Sequence, residues 1–225
     1  MKNFRNKLVA VVFAITYFTA CTKDDTPTID TTNNGTFKVF AQGNVTTVQN
    51  LQADTIIGLS PIGQPYGSGK YTLFSLADGV LVANSDSATS KWDIGFRGTT
   101  IITNGGTSGP GVGGAFVQVG LFTNVASVSN DSTFRTDAAP PSYAITTGSN
   151  RGWYVYDGPN NLVTPIPGRV LIIRTATGKY AKLEINNYYK GGVTPAATAS
   201  DNIKLTEQRY FTFRYTHQPN GTKNF

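Results

Sequence analysis

From residue 37 onward, apolar residues recur at alternate positions in short runs, and Gly, Asn, Asp or Pro interrupt those runs at short intervals. A period of two places successive side chains on opposite faces of a strand, whereas one helix face needs a period near 3.6. The pattern predicts an all-β chain, with strands in FKVF, VTTVQNLQA, YTLFSL, GVLVANS, KWDIGFR, TTIIT, GAFVQVGLF, RGWYVYD, RVLIIRT, KYAKLEINNYY and RYFTFRYTH. No segment carries a helical stripe. Ala77-Asp78-Gly79 and Ala176-Thr177-Gly178 predict hairpin turns in which glycine takes the left-handed position. Trp92, Ile94 and Phe96 fall on one strand face as core, with Asp93 and Arg97 on the other; Phe211, Phe213, Tyr215 and His217 share a face of the last strand.

The first 36 residues depart from this pattern. A basic start (Lys2, Arg5, Lys7), an apolar run from Leu8 to Phe18 and the small pair Thr19-Ala20 form a secretory signal too short to span a membrane. It ends on the chain's one cysteine, Cys21, and FTAC resembles a bacterial lipobox, in which the cysteine is acylated and becomes the first residue. Phe18 stands where an aliphatic residue is usual. The polar stretch that follows is too poor in apolar residues to join a core, and Asp24-Asp25 after Lys23 resembles a sorting signal for the outer face of the outer membrane. The expected organisation is a lipoprotein signal peptide over 1–20, a flexible tether over 21–36 and a single antiparallel β-rich domain with long irregular loops over 37–225.

Composition removes several functional classes. Lys and Arg number 19 against 13 Asp and Glu, and loss of the signal's three cations lowers the surplus from +6 to +3, without basic runs, so no nucleic-acid surface is indicated. With one histidine, His217, and no G-x-S-x-G serine, neither a nucleophilic triad nor a three- or four-ligand zinc site is expected. Nothing singles out two of the acids as a hydrolytic pair. Surface solvation is the default account of Asp93, Asp131, Asp137, Asp157 and Glu184, and the protein is expected not to be an enzyme.

Three Gly-, Pro-, Ser- or Asn-rich stretches are candidate walls of a site: 104–114 (NGGTSGPGVGG), 129–142 and 157–168. Gly109, Gly111 and Gly114 spell the letters of a dinucleotide fingerprint, but AFVQVGLF after them is a strand, and no helix N-terminus is available for a pyrophosphate. The glycines are expected instead to form a mobile loop whose backbone bends near a flat ligand, or a plain surface connection. GWYVYDGP, residues 152–159, sets Trp153 and Val155 against Tyr154 and Tyr156, so that one pair serves the core and the other faces a porphyrin or a sugar ring.

Taken together, WDIGFR with IITNGGTSGPGVGGA, GRVLIIRTATGKYAKLEINNYY and YFTFRYTHQPNGT resemble the HmuY family of exported haem-binding lipoproteins, over nearly all of the chain from about residue 37. The resemblance implies an HmuY-like β-sandwich anchored at the outer membrane. It further implies a protein that takes haem from host or environmental haemoproteins and passes it to a TonB-dependent outer-membrane receptor. Family members hold the iron between two axial histidines or methionines on loops; one such loop matches YVYDGPNN, with the ligand position at or near Asp157. This chain lacks those ligands: its one methionine is Met1 in the signal, and Cys21 is expected to be lipidated. The usual iron-ligating types that remain are His217 and the ten tyrosines outside the signal, of which Tyr154 and Tyr156 lie nearest the matching loop. Haem or porphyrin binding through tyrosine, or by burial of the apolar face alone, is the leading expectation. The alternative is a non-catalytic surface module for glycan or another small molecule.

Overall fold

The structure, a computed structural model, describes residues 37–54, 56–61 and 65–225. The signal, Cys21 and the tether lie outside the described residues. In chain order the elements are β1 (Lys38–Gln42), β2 (Val45–Gln52), β3 (Ile56–Leu59), β4 (Pro65–Gly67), β5 (Thr72–Ser75), β6 (Val80–Val82), β7 (Ile94–Arg97) and β8 (Thr100–Thr103). They continue with β9 (Gly114–Val119), β10 (Tyr154–Asp157), β11 (Leu162–Pro165), β12 (Arg169–Arg174), β13 (Tyr180–Tyr189), α1 (Asp201–Glu207) and β14 (Gln208–Gln218). Each of the eleven predicted strand segments contains a strand.

A six-stranded antiparallel sheet, ordered β1-β2-β14-β13-β12-β9, packs on a four-stranded sheet, β6-β5-β7-β8. The contact follows from alternation: Phe211, Phe213 and Tyr215 point inward from β14, and Phe74 and Phe96 of the smaller sheet meet them, with Phe96 4.7 Å from Phe211 and Phe74 5.7 Å from Phe213. Both hairpin turns form as expected, with φ of 68° at Gly79 and 80° at Gly178. The opposite face of the large sheet is also covered. Phe122, Val125 and Val128, from an irregular segment, pack on Val170 and Ile172. Burial on both faces explains why β12 reads as an unbroken apolar run rather than an alternating one.

Several expectations need correction. Trp92 precedes β7 and joins Leu73, Ile102 and Tyr143 on the outer face of the small sheet, away from Ile94 and Phe96. Asp93 and Asp137 are 5% and 2% exposed rather than solvated. Their carboxylates accept buried backbone N–H groups, from Leu76 (2.8 Å) and Ala176 (3.0 Å) onto Asp93, and from Thr103 (2.8 Å) and Ala144 (2.7 Å) onto Asp137. Such groups need a partner once water is removed, and a carboxylate supplies two oxygens. Residues 157–168 contain β11, paired with β10 from Asp157↔Leu162 to Tyr154↔Pro165, so much of the expected loop is a hairpin. The helix α1 follows an N-cap in which Ser200 accepts from Ile203 N–H; at seven residues it is too short to show a stripe.

The glycine run is tied down by backbone contacts at both of its ends. Asn104, fully buried, donates through Nδ2 to the carbonyls of Trp92 (2.7 Å) and Thr89 (2.9 Å) and accepts from Gly111 N–H (2.9 Å). The chain folds back on itself through the Gly105–Val112 bridge. A Cβ at Gly113 would come within 2.4 Å of the Asn104 carbonyl oxygen, so these glycines allow backbone to pack on backbone.

Candidate functional site

The β10–β11 ribbon crosses the end of the core at which β14 begins. Trp153, just before β10, lies 5.4 Å from Phe211 and 5.6 Å from Tyr188, with its indole N–H on the Thr99 carbonyl. Tyr154 is also buried; its oxygen accepts from the Thr99 hydroxyl at 3.3 Å. Val155 and Tyr156 are the exposed pair, at 38% and 47%. The expected opposition of Trp153 and Val155 against Tyr154 and Tyr156 therefore fails. The indole stands outside the strand, and an isolated two-stranded ribbon twists more strongly than a broad sheet, so alternate residues need not share one environment.

Tyr156 donates from its hydroxyl to Asn161 Oδ1 at 2.8 Å, and Asn161 Nδ2 in turn donates to Asp201 Oδ1 on α1 at 3.1 Å. Asp157 is half-buried and occupied with its own turn, accepting from the Asn160 side-chain amide at 2.8 Å. Alongside, α1 and the β3–β4 hairpin border a cleft of about 340 Å³, lined by Ile56, Gly58, Leu59, Asn202, Leu205 and Tyr210 among others. Ile57, Leu59 and Tyr66 of β3–β4 and Ile203 of α1 are exposed, so this end of the molecule presents apolar surface from three separate elements.

His217 is elsewhere. Tyr156 pairs with Val163, whose N–H donates to the Tyr189 hydroxyl, and Tyr189 pairs with Gln208, nine residues before His217 on β14. At about 3.3 Å per residue that is roughly 30 Å. Tyr156 and His217 thus lie at opposite ends of the large sheet and cannot face one iron. His217 pairs with Ala181 of β13, and the half-buried imidazole borders a small polar cleft with Asp78, Asn44 and Tyr215. The glycine loop belongs to the His217 end as well, since Val112 N–H donates to the Ala176 carbonyl in the β12–β13 turn. The three expected walls therefore do not enclose a single site.

Burial pushes the phenols of Tyr71, Tyr188 and Tyr189 above their ordinary range, and that of Tyr215 up to about 12, so these groups hold their protons at neutral pH. For His217, burial lowers the pKa, with Asp93 and Asp78 opposing and Lys179 reinforcing the shift. With its folded value below the ordinary one, its stabilising contribution is complete above about pH 6.5 and is lost as pH falls through the lowered value. Between pH 7.5 and pH 5 the urea midpoint of the parent is expected to fall relative to that of His217→Gln; parallel pH profiles in the two proteins would assign no such contribution to His217.

Sequence reasoning missed Asn161, Asp201 and the β3–β4 hairpin. Ser200 before DNIKLTE was a legible helix start, whereas the short run IIGL carries no alternation that could have marked a strand.

Among the described residues, no helix is long and apolar enough to cross a membrane, and no group of three or more His, Cys, Asp or Glu could hold a metal ion. Compared with known proteins, residues 68–202 match the sequence model of a family described as HmuY protein. The chain belongs to the HmuY family. That match encloses β5 to β13 and the β10–β11 ribbon, and stops within α1. Similar solved structures include a protein described as a lipoprotein from Bacteroides fragilis, at 15% identity and TM-score 0.48, covering 79% of this chain and 94% of that one. Another is described as a HmuY-like haem-binding protein from Bacteroides vulgatus, at 12% identity and TM-score 0.47, covering 84% and 96%. A third is the apo HmuY analogue of Tannerella forsythia, at 15% identity and TM-score 0.40, covering 78% and 95%. No functionally curated protein matches.

Proposed function

We propose that this HmuY-family protein is a non-catalytic, lipid-anchored binder of haem or a related tetrapyrrole at the outer surface of the outer membrane, delivering it to a TonB-dependent receptor. The observation that carries the reading is the family match over residues 68–202. Within those residues there is no His, Met or Cys, and Tyr156 is the exposed tyrosine. A phenolate is an established type of haem-iron ligand, and Tyr156 stands beside exposed Val155 with apolar Ile203 on the neighbouring helix. The residues present therefore fit one axial bond together with burial of a flat apolar face. Bis-histidine and methionine ligation do not fit them. Asp157 and Tyr154 support the ribbon: Asp157 closes its turn, and Tyr154 fills the core beneath it.

Burial contributes independently of the metal. A few hundred Å² of apolar area at about 25 cal/mol per Å² gives several kcal/mol before entropic costs. For the bond to form, Tyr156 must release its proton and its hydrogen bond to Asn161. The Asn161 amide would then have to rotate its NH₂ toward the phenolate, turning its oxygen toward Asp201.

Titration of the protein with ferric haem is expected to give a saturable Soret change with a tyrosinate-type visible spectrum. Tyr156→Phe removes that spectrum, while Tyr154→Phe and His217→Gln retain it. Absence of a saturable change would end the haem reading and turn attention to a glycan array. An equal response to iron-free porphyrin, unchanged by Tyr156→Phe, would replace ligation with burial alone.

A further inference from the structure

On the large-sheet face turned away from the small sheet, Lys182 of β13 is only 6% exposed. Two of its ammonium hydrogens go to the carbonyls of Phe122 (3.1 Å) and Val125 (2.8 Å). Its Nζ lies 4.6 Å from the Phe122 ring centre and 5.4 Å from that of Phe225. No carboxylate pairs with it among the described residues. The nearby acid, Glu184, is taken by Arg214, which donates through Nε (2.9 Å) and Nη2 (2.7 Å) to the same oxygen while its guanidinium lies 4.6 Å over Phe122. Thr216, opposite Lys182 in the β13–β14 register, is 3% exposed and its hydroxyl has no hydrogen-bond partner.

A buried ammonium ordinarily requires an opposite charge. Among these side chains two cations face one anion, a side-chain surplus of one positive charge. These groups border a cleft of about 260 Å³, lined by Val45, Phe122, Ala126, Lys182, Arg214 and Phe225 among others. Its cationic side retains the third Lys182 hydrogen and the Arg214 Nη1 donors. The aromatic and small apolar residues form the rest of the wall.

We propose that this cleft binds a small organic monocarboxylate with an apolar body. The carboxylate accepts from Lys182 and Arg214 in charge-assisted hydrogen bonds, and the hydrocarbon part packs against Phe122 and Phe225. One negative charge balances the side-chain surplus. The volume lies below that of pockets for drug-sized ligands, which limits the body to about one ring or a short chain. The proposal rests on Lys182 and its cleft, and is independent of Tyr156.

The test is calorimetric titration of the full-length protein with phenylacetate, with its neutral isostere phenylacetamide as control. Phenylacetate is expected to bind saturably and phenylacetamide about tenfold more weakly or worse, the loss that follows when a charge-assisted pair is replaced by a neutral one. Lys182→Met is expected to weaken phenylacetate by a similar factor. Ala126→Trp, at an exposed position on the cleft wall, is expected to abolish binding while leaving the thermal melt near that of the parent. If Lys182→Met fails to fold, the amide comparison and Ala126→Trp decide the matter. Absence of phenylacetate binding, equal binding of acid and amide, or undiminished binding by Ala126→Trp would each overturn the assignment.

Discussion

Asp93→Ala is expected to destabilise the protein by about 3–5 kcal/mol, a drop of roughly 10 °C or more in Tm for a chain of this size. The carboxylate joins two turns distant in sequence, taking Leu76 N–H on Oδ2 at 2.8 Å and Ala176 N–H on Oδ1 at 3.0 Å. Leu76 leaves the small sheet and Ala176 lies in the β12–β13 turn of the large one, so the side chain is a polar clamp across the sandwich. Alanine strands both donors in a site where the residue is 5% exposed, each at a cost of about 1–3 kcal/mol, and adds a cavity. Asp93→Asn should retain only part of the clamp, because its NH₂ meets an N–H where the carboxylate offered an acceptor. Asp86→Ala, which removes the exposed pair with Lys91, should change stability by about 1 kcal/mol or less. Urea and thermal unfolding of the three variants measure this; an Asp93→Ala protein within about 1 kcal/mol of the parent would refute the clamp.

Gly113→Ala is expected to cost about 3 kcal/mol or more, or to prevent accumulation of folded protein. The added Cβ would stand 2.4 Å from the Asn104 carbonyl oxygen and 2.7 Å from its carbon, while Gly113 N–H already donates to that same oxygen at 2.8 Å. Both parties are backbone, so no side chain can rotate to relieve the clash. Gly98→Ala supplies the contrast: φ is +54°, but nothing lies within 4 Å of the new Cβ, and the cost should be only the roughly 1–2 kcal/mol of a left-handed alanine. Comparing the two by thermal melting separates packing from backbone conformation. Equal losses would mean that the glycine run serves conformational freedom after all.

These two positions show why the two kinds of information diverge. Alternation in RYFTFRYTH and KYAKLEINNYY, together with glycine in two tight turns, is a local property of the chain. It determined the strands, the hairpins and the inward side of β14, because pleating and positive φ act over one or two residues. The family resemblance was likewise legible in WDIGFR and the glycine stretch. Asp93 looked like a solvated acid because its two donors lie 17 and 83 residues away. Asn104 and Gly113 looked like loop because their partners are backbone atoms, which leave no signature in side-chain type.

The site divides along the same line. Residue types alone reduced the usual iron ligands to His217 and the ten tyrosines outside the signal, and the loop matched through the family resemblance singled out Tyr154 and Tyr156. Which of them is reachable followed from neither. Tyr154 is covered by the core, Tyr156 stands exposed beside α1, and His217 lies at the far end of β14, because strand pairing places residues by register rather than by chemical kind. The sequence by itself thus determined a two-sheet β protein of the HmuY family with one histidine and no methionine after Met1. The tertiary structure alone decided that its polar clamps are buried, that its glycine run is packed backbone, and that Tyr156 and His217 lie at opposite ends, since each depends on contacts between segments far apart in the chain.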